Sequence, residues 1–164
     1  MQLDCATLLR VKRTQQGEDR LSGDEVAAWK GMLRAHSDLV ASLDTQLERE
    51  HSLPLSSYEV LMVLADSPGG RARMGELAHQ LLLSRSGLTR LVDRLVRQGW
   101  VERKPCEDDS RGLYAAITQS GRAKLKKARP AHLDGVRAGF FEKLSDADLA
   151  ALSRAWRRLN RAGA

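Results

Sequence analysis

Apolar and polar positions recur with helical spacing over most of the chain, and that pattern divides it into six helices and one hairpin. Trp29, Met32 or Leu33, His36, Leu39 or Val40, Leu43 and Leu47 line one face of a first helix running to about Glu50. Ser22 and Glu25 have the spacing of a capping box ahead of it, with Leu21 and Val26 as a hydrophobic staple. Such a helix is about 40 Å long at roughly 1.5 Å per residue. It outgrows a small globule, so a partner helix is expected to cover part of its stripe. Leu53-Pro54 breaks it, and Ser56 with Glu59 repeats the capping box, flanked by Leu55 and Val60. The second helix is expected to pack Tyr58, Leu61, Met62, Leu64 and Ala65 inward, up to the turn Ser67-Pro68-Gly69-Gly70. A third helix, Gly75 to Leu82, is expected to bury Leu77, Ala78 and Leu81, with Leu82 as a further candidate; Leu83-Ser84 then turns tightly into a fourth, with Ser84 as N-cap.

The stretch from Ser84 to Ile117 organises the rest. Leu88, Leu91, Val92 and Leu95 form one apolar helix face, and Arg85, Ser86, Thr89, Arg90, Asp93, Arg94 and Arg97 occupy the remaining surface. Gly99 supplies the left-handed residue that ends such a helix. Val101 to Arg103 and Leu113 to Ile117 read as strands, with Lys104 to Gly112 as the loop between them. Thr118 then caps a long fifth helix carrying Ala123, Leu125, Ala128, His132, Leu133, Val136 and Phe140. Pro130 inside it predicts a kink or the loss of one turn's bonding. A sixth helix starts at Ser145 and shows Leu149, Leu152, Trp156 and Leu159 on one side. Residues 1–20 leave two readings open, a polar tail or a short helix bearing Cys5, Leu8 and Leu9 at a dimer interface.

Composition narrows the function. Aromatic residues are 4% of 164, so Leu, Val and Ala must make the core, as suits helices packed on helices. The net charge of +6 is clustered in Arg85 to Lys104 and in Arg122 to Arg129, the footprint of a polyanionic partner. Two distant cysteines, Cys5 and Cys106, make neither a disulfide framework nor a zinc cluster, and the four histidines are scattered. No apolar run is long enough for a membrane span and no signal-peptide core is visible, so a reduced cytoplasmic protein is expected. A phosphate-binding glycine loop, an HExxH pair and a Gly-x-Ser-x-Gly elbow are all missing, which argues against an enzyme; no cofactor or metal is expected.

A helix that buries one side and presents Ser, Thr and Arg on the other suits a DNA major groove. Ser84, Arg85, Ser86, Thr89 and Arg90 are the candidates for base edges, since Arg pairs bidentately with guanine and Ser or Thr bonds bases or phosphates. Arg94 and Arg97 lie further along, where phosphate contact is expected. Taken alone, the same face also reads as an ordinary solvated helix surface. Arg103 and Lys104 make the start of the hairpin basic. Its tip carries Glu107, Asp108 and Asp109, which phosphates would repel. One resolution is that Asp109 pairs with Arg111 and presents it to a narrow minor groove; the other is a plain polar turn.

Taken together, these segments resemble the MarR family of bacterial transcriptional regulators over about Trp29 to Asn160. The residues that carry the resemblance are Leu55 to Leu61, Met74 to Ala78, Ser86 to Arg94, Gly99 to Arg103, the wing Asp109-Ser110-Arg111, and Thr118 with Gly121. It implies a mainly α fold with a small β-hairpin wing (α+β), a winged helix-turn-helix with long N- and C-terminal dimerisation helices. The implied organisation is an extension over 1–20, a dimerisation helix over 21–54, a DNA-binding lobe over 55–118 and C-terminal dimerisation helices over 119–164. It further implies an obligate homodimer on double-stranded DNA, reading a pseudo-palindromic operator with half-sites ~10 bp apart. In that scheme Arg111 contacts the minor groove, Asp109 orients it, and the helix from Ser84 reads the major groove.

Family members often bind a small aromatic or anionic effector beside the DNA-binding lobe, which makes Trp29, His36, Tyr58, Met62 and Asp66 candidates for lining a pocket, against a plain packing role. The leading expectation is a ligand-responsive regulator, a repressor. The alternatives are a cysteine-based redox sensor of the same fold, using Cys5 or Cys106, and a winged-helix protein-interaction module without specific DNA binding.

Overall fold

Helix α1 (Gly23–His51) starts where its capping box predicts: the Glu25 amide donates to Ser22 Oγ at 3.2 Å, and the Ser22 amide to Glu25 Oε2 at 2.7 Å. The structure is a computed structural model that describes residues 20–106 and 109–161; side chains at 109–112 and 161 lie outside that description. The two readings of residues 1–19 therefore lie outside the described residues. The first part of α1, up to Asp38, forms one unit, and the chain from Leu39 onward forms another. In the first unit Trp29 and Leu33 are exposed.

The second unit contains the end of α1, α2 (Leu55–Asp66), β1 (Arg71–Arg73), α3 (Met74–Gln80), α4 (Arg85–Arg97), β2 (Val101–Cys106), β3 (Asp109–Ile117), α5 (Gln119–Gly139) and α6 (Asp146–Arg161). Its core is leucine and valine, as the composition requires: Leu47, Leu53, Leu61, Leu64, Leu77, Leu88, Leu95, Val60, Val92 and Val101 are essentially inaccessible. The expected apolar face of α4 is buried in full. Tyr58, Leu61 and Leu64 of α2 are buried as expected, and Met62 and Ala65 are partly so.

Several boundaries differ from the sequence reading. The second helix begins at Leu55, not behind a Ser56–Glu59 box, and Pro54 at its N-cap offers no side-chain bond. Asp44 of α1 does that work: its carboxylate accepts the Leu55 amide at 2.8 Å. The third helix is Met74–Gln80, shorter than expected, because Leu82 takes a left-handed φ of 53° and the Leu83 amide bonds back to the Ala78 carbonyl. Leu82, a candidate for burial in the sequence, is thus 91% exposed. Helix α5 runs through Pro130 without interruption.

The hairpin strands extend further than expected. Lys104, Pro105 and Cys106 belong to β2, and β3 reaches back to Asp109, with a register shift between Pro105 and Cys106. A strand the sequence did not announce, β1, pairs antiparallel with β3, giving a sheet of order β1-β3-β2. Its three residues are too few for a periodic signal.

Two glycines hold the hairpin's base. Gly99 (φ 71°) ends α4, and its carbonyl accepts the hydroxyls of Thr118 at 2.7 Å and Ser120 at 2.6 Å. Thr118 Oγ1 in turn accepts the Gly121 amide at 3.0 Å, capping α5. A Cβ at Gly121 would overlap the Trp100 carbonyl oxygen, so the hairpin and α5 meet at a position only glycine fits.

Candidate nucleic-acid interface

Helix α4 presents its polar face outward on a rigid base. Ser84 caps it, accepting the Gly87 amide at 3.1 Å, and no acidic residue stands in its first turn. Arg85, Ser86, Thr89 and Arg90 are all exposed on the face away from Leu88 and Leu91. Thr89 donates its hydroxyl to the Arg85 carbonyl at 2.8 Å, which holds its rotamer. Ser84 and Ser86 hydroxyls lie 3.3 Å apart at the helix start. Five sequence-predicted residues, from Ser84 to Arg90, therefore share one exposed surface. Positive side chains, hydroxyls and the positive end of a helix dipole combine there to favour phosphate and base-edge acceptors.

Three other predicted contact residues have protein partners that sequence reading did not anticipate. The Arg94 Nη2 lies 3.1 Å from Ser57 Oγ and 3.5 Å from Ser56 Oγ, so this guanidinium joins α4 to the start of α2. Ser57 is the buried polar residue of the described core, and the Arg94 Nε is buried beside it with no hydrogen-bond partner among the described residues. Arg103 of β2 pairs with Asp93 of α4 at 2.8 Å, and Lys104 pairs with Glu102 at 2.8 Å. The side chains of Asp109 and Arg111, and hence their expected clamp, lie outside the described residues. The backbone of β3 does carry both on the strand that ends at the tip.

The five effector-pocket candidates fall in different settings. Trp29 and His36 are exposed on the first part of α1. Tyr58 is buried, its ring stacked on His132 of α5 with centroids 4.3 Å apart. Met62 is half-buried and Asp66 exposed. Sequence reading placed His132 on the apolar face of α5 without seeing its partner, 74 residues away by number (132 against 58). Burial holds the His132 imidazole below its ordinary pKa, and nearby Arg129 adds to this. Burial also pushes the Tyr58 phenol up; Arg129 opposes that and Asp66 reinforces it. A separate apolar cleft of about 520 Å³ opens between the end of α5 and α6, lined by Phe140, Phe141, Leu149, Leu152 and Trp156 among others.

Cys106 is buried at the end of β2, and Cys5 lies outside the described residues. A buried thiol is a poor target for oxidants. Among the described residues no cluster of His, Cys, Asp and Glu has metal-site geometry, and no helix is long and apolar enough to cross a membrane.

Comparison with known proteins gives a consistent picture. Residues 51–112 match the model of the MarR family. The HTH-type transcriptional repressor YetL of Bacillus subtilis is 32% identical over 89 residues, which are 54% of this chain and 53% of that one. The chain spans about half the length of the curated relatives it matches. Solved structures are covered more fully. AbsC, a MarR family transcriptional regulator from Streptomyces coelicolor, superposes with a TM-score of 0.81 at 32% identity, over 87% of this chain and 95% of AbsC. A second Streptomyces coelicolor regulator of that family, solved in complex with DNA, gives a TM-score of 0.82 at 35% identity over 87% of this chain and 89% of its own.

Proposed function

The chain belongs to the MarR family, and from that premise we propose that it is a homodimeric transcriptional repressor that binds a pseudo-palindromic operator in double-stranded DNA. The observation that carries the proposal is α4: Arg85, Ser86, Thr89 and Arg90 exposed on one side, with Leu88, Leu91, Val92 and Leu95 buried on the other. Such a helix enters the major groove, and the β2–β3 wing beside it reaches the neighbouring minor groove. Asp109 and Arg111 act at the wing tip, the acid orienting the guanidinium. The chain is a regulator rather than an enzyme, and it works in the cytoplasm, where its DNA lies.

Dimerisation is supported by apolar side chains left open in the single chain. Trp29 and Leu33 on α1 are exposed, as are Trp156 and Leu159 on α6 and Phe141 before it. A solvated monomer gains nothing from such stripes, whereas two copies bury them. Two lobes held at fixed separation then read half-sites ~10 bp apart. A small aromatic or anionic effector modulates DNA affinity in this reading. Its site is in the second unit near Tyr58 and Met62, or on the first part of α1 near Trp29 and His36. Oxidation of Cys106 is the weaker switch, because that thiol is buried.

The direct test is a fluorescence anisotropy titration with the duplex upstream of the chain's own gene. Specific binding much tighter than to a scrambled duplex is expected, with Arg111→Ala weakening it by roughly 1–3 kcal/mol. Equal affinity for both duplexes would sink the operator reading.

A further inference from the structure

The three-stranded sheet has two faces, and only one of them packs on the recognition helix. Val101, Ala115 and Ile117 are buried on that face, and Arg103, in register with Ala115, reaches Asp93 of α4 from it. Side chains alternate along a strand, so Arg71, Arg73, Tyr114 and Lys104 stand on the opposite face. Register places Arg73, Tyr114 and Lys104 in one row across all three strands.

Tyr114 gathers charge on this face. The Arg71 guanidinium carbon lies 4.9 Å from the Tyr114 ring centroid, and that of Arg73 lies 5.7 Å away. Both are within the distance at which a cation is held by a ring. Lys104 is neutralised by Glu102 at 2.8 Å. Arg71 is exposed over the ring, in a cleft it shares with Glu76, and makes no ion pair among the described residues. The sheet thus displays a rigid, aromatic-anchored positive site on the flank that faces away from α4.

We propose that Arg71, held over the Tyr114 ring, grips the DNA backbone on the outer rim of the minor groove that the wing enters. Height decides this. Lys104, in the Tyr114 row, is two residues along β2 from Cys106, which pairs with Asp109 at the far end of the hairpin (106 against 104), about 7 Å at roughly 3.3 Å per residue. A minor groove is about 7.5 Å deep. With that end of the hairpin at its floor, the Tyr114 row stands at the level of the phosphates. The α-carbon of Arg71 stands further up, opposite Ala116, but its contact with the ring draws its charge down to the level of that row. This inference rests on the wing lying in the minor groove. It adds a sequence-independent clamp outside the half-site, which lengthens the footprint of each protomer.

Two operator duplexes test it with the full chain, one ending at the wing's minor groove and one longer by about half a helical turn on each side. The wild type is expected to bind the longer duplex more tightly. Arg71→Ala should abolish that gain and leave affinity for the short duplex unchanged. On the long duplex it should lower the slope of log affinity against log salt by about 0.9 per lost phosphate contact. Arg71→Lys should keep part of the gain. Tyr114→Phe should keep it, and Tyr114→Leu should lose it with Arg71 still present. A wild type indifferent to length overturns the proposal, as does Arg71→Ala behaving like wild type or weakening both duplexes equally. Failure of the wing reading shows separately, as an Arg111→Ala variant with unchanged affinity for the short duplex.

Discussion

Arg103 Nη1 lies 2.8 Å from Asp93 Oδ1, and this one ion pair joins the wing to the recognition helix. Asp93 sits on the flank of α4 and Arg103 on β2, so the pair ties the angle of the wing to that of the helix. Both side chains are partly exposed, at 46% and 33%, so the pair adds only about 0.2–1 kcal/mol to stability. Its value is in geometry. Asp93→Ala and Arg103→Ala should each lower operator affinity with little change in melting temperature. The double variant should be no worse than either single one. Additive losses in a double-mutant cycle would instead mark Arg103 as an independent DNA contact, its role in the sequence reading.

Arg94 should act on folding before it acts on DNA. Its guanidinium bonds the fully buried Ser57 hydroxyl at 3.1 Å. Removing it leaves that hydroxyl unsatisfied, at a cost of about 1–3 kcal/mol. Arg94→Ala should therefore shift the urea midpoint clearly, whereas Arg90→Ala, on the exposed face, should not. Equal midpoints for the two variants would show that the Arg94–Ser57 contact carries no stability and return Arg94 to the phosphate role.

What the sequence disclosed was local, and what it hid was distant. The caps at Ser84 and Thr118 were legible because donor and acceptor lie three residues apart (Gly87 and Gly121). The face of α4 was legible because burial there follows a helical period. Asp44 capping Leu55, Arg94 reaching Ser57 and Tyr58 stacking on His132 are pairings across different helices, which no window of sequence displays. The strand β1 exists only because β3 lies beside it. The exposed polar face of α4 was foreseen residue by residue. The tasks of Arg94 and Arg103 were not, since an arginine's partner depends on which element the fold brings near.

Leu82 is a point of avoidable strain. It holds φ 53° in the turn between α3 and α4 and buries almost nothing. A left-handed conformation costs a side-chain-bearing residue roughly 1–2 kcal/mol, and glycine adopts it freely. Leu82→Gly should leave stability unchanged or raise it by up to about 1 kcal/mol, because the unfolded chain's extra freedom offsets part of the relief. A clear loss in thermal melting would mean that the exposed leucine packs on something, a partner protomer being the first candidate.

The Tyr58–His132 stack should make stability depend on pH in a window of its own. His132 Nδ1 is buried without a hydrogen-bond partner among the described residues, and burial holds the imidazole below the ordinary value of 6.5. Arg129, one turn away, opposes a second positive charge there. The folded state thus favours neutral His132, while the unfolded chain takes up a proton once pH falls below that ordinary value. Unfolded protein then binds more protons than folded, so stability is full above 6.5 and is lost as pH falls towards the depressed folded value. The carboxylates Glu25 and Asp148, also held low by their serine caps, are lost only at more acid pH, below their ordinary 4.5 and 3.8. His132→Phe keeps a ring on Tyr58 and removes the titration. Urea unfolding of the wild type should therefore weaken between about pH 7 and about pH 5, and the variant's should stay nearly flat over that interval. Parallel pH profiles would show that His132 is not the group that titrates.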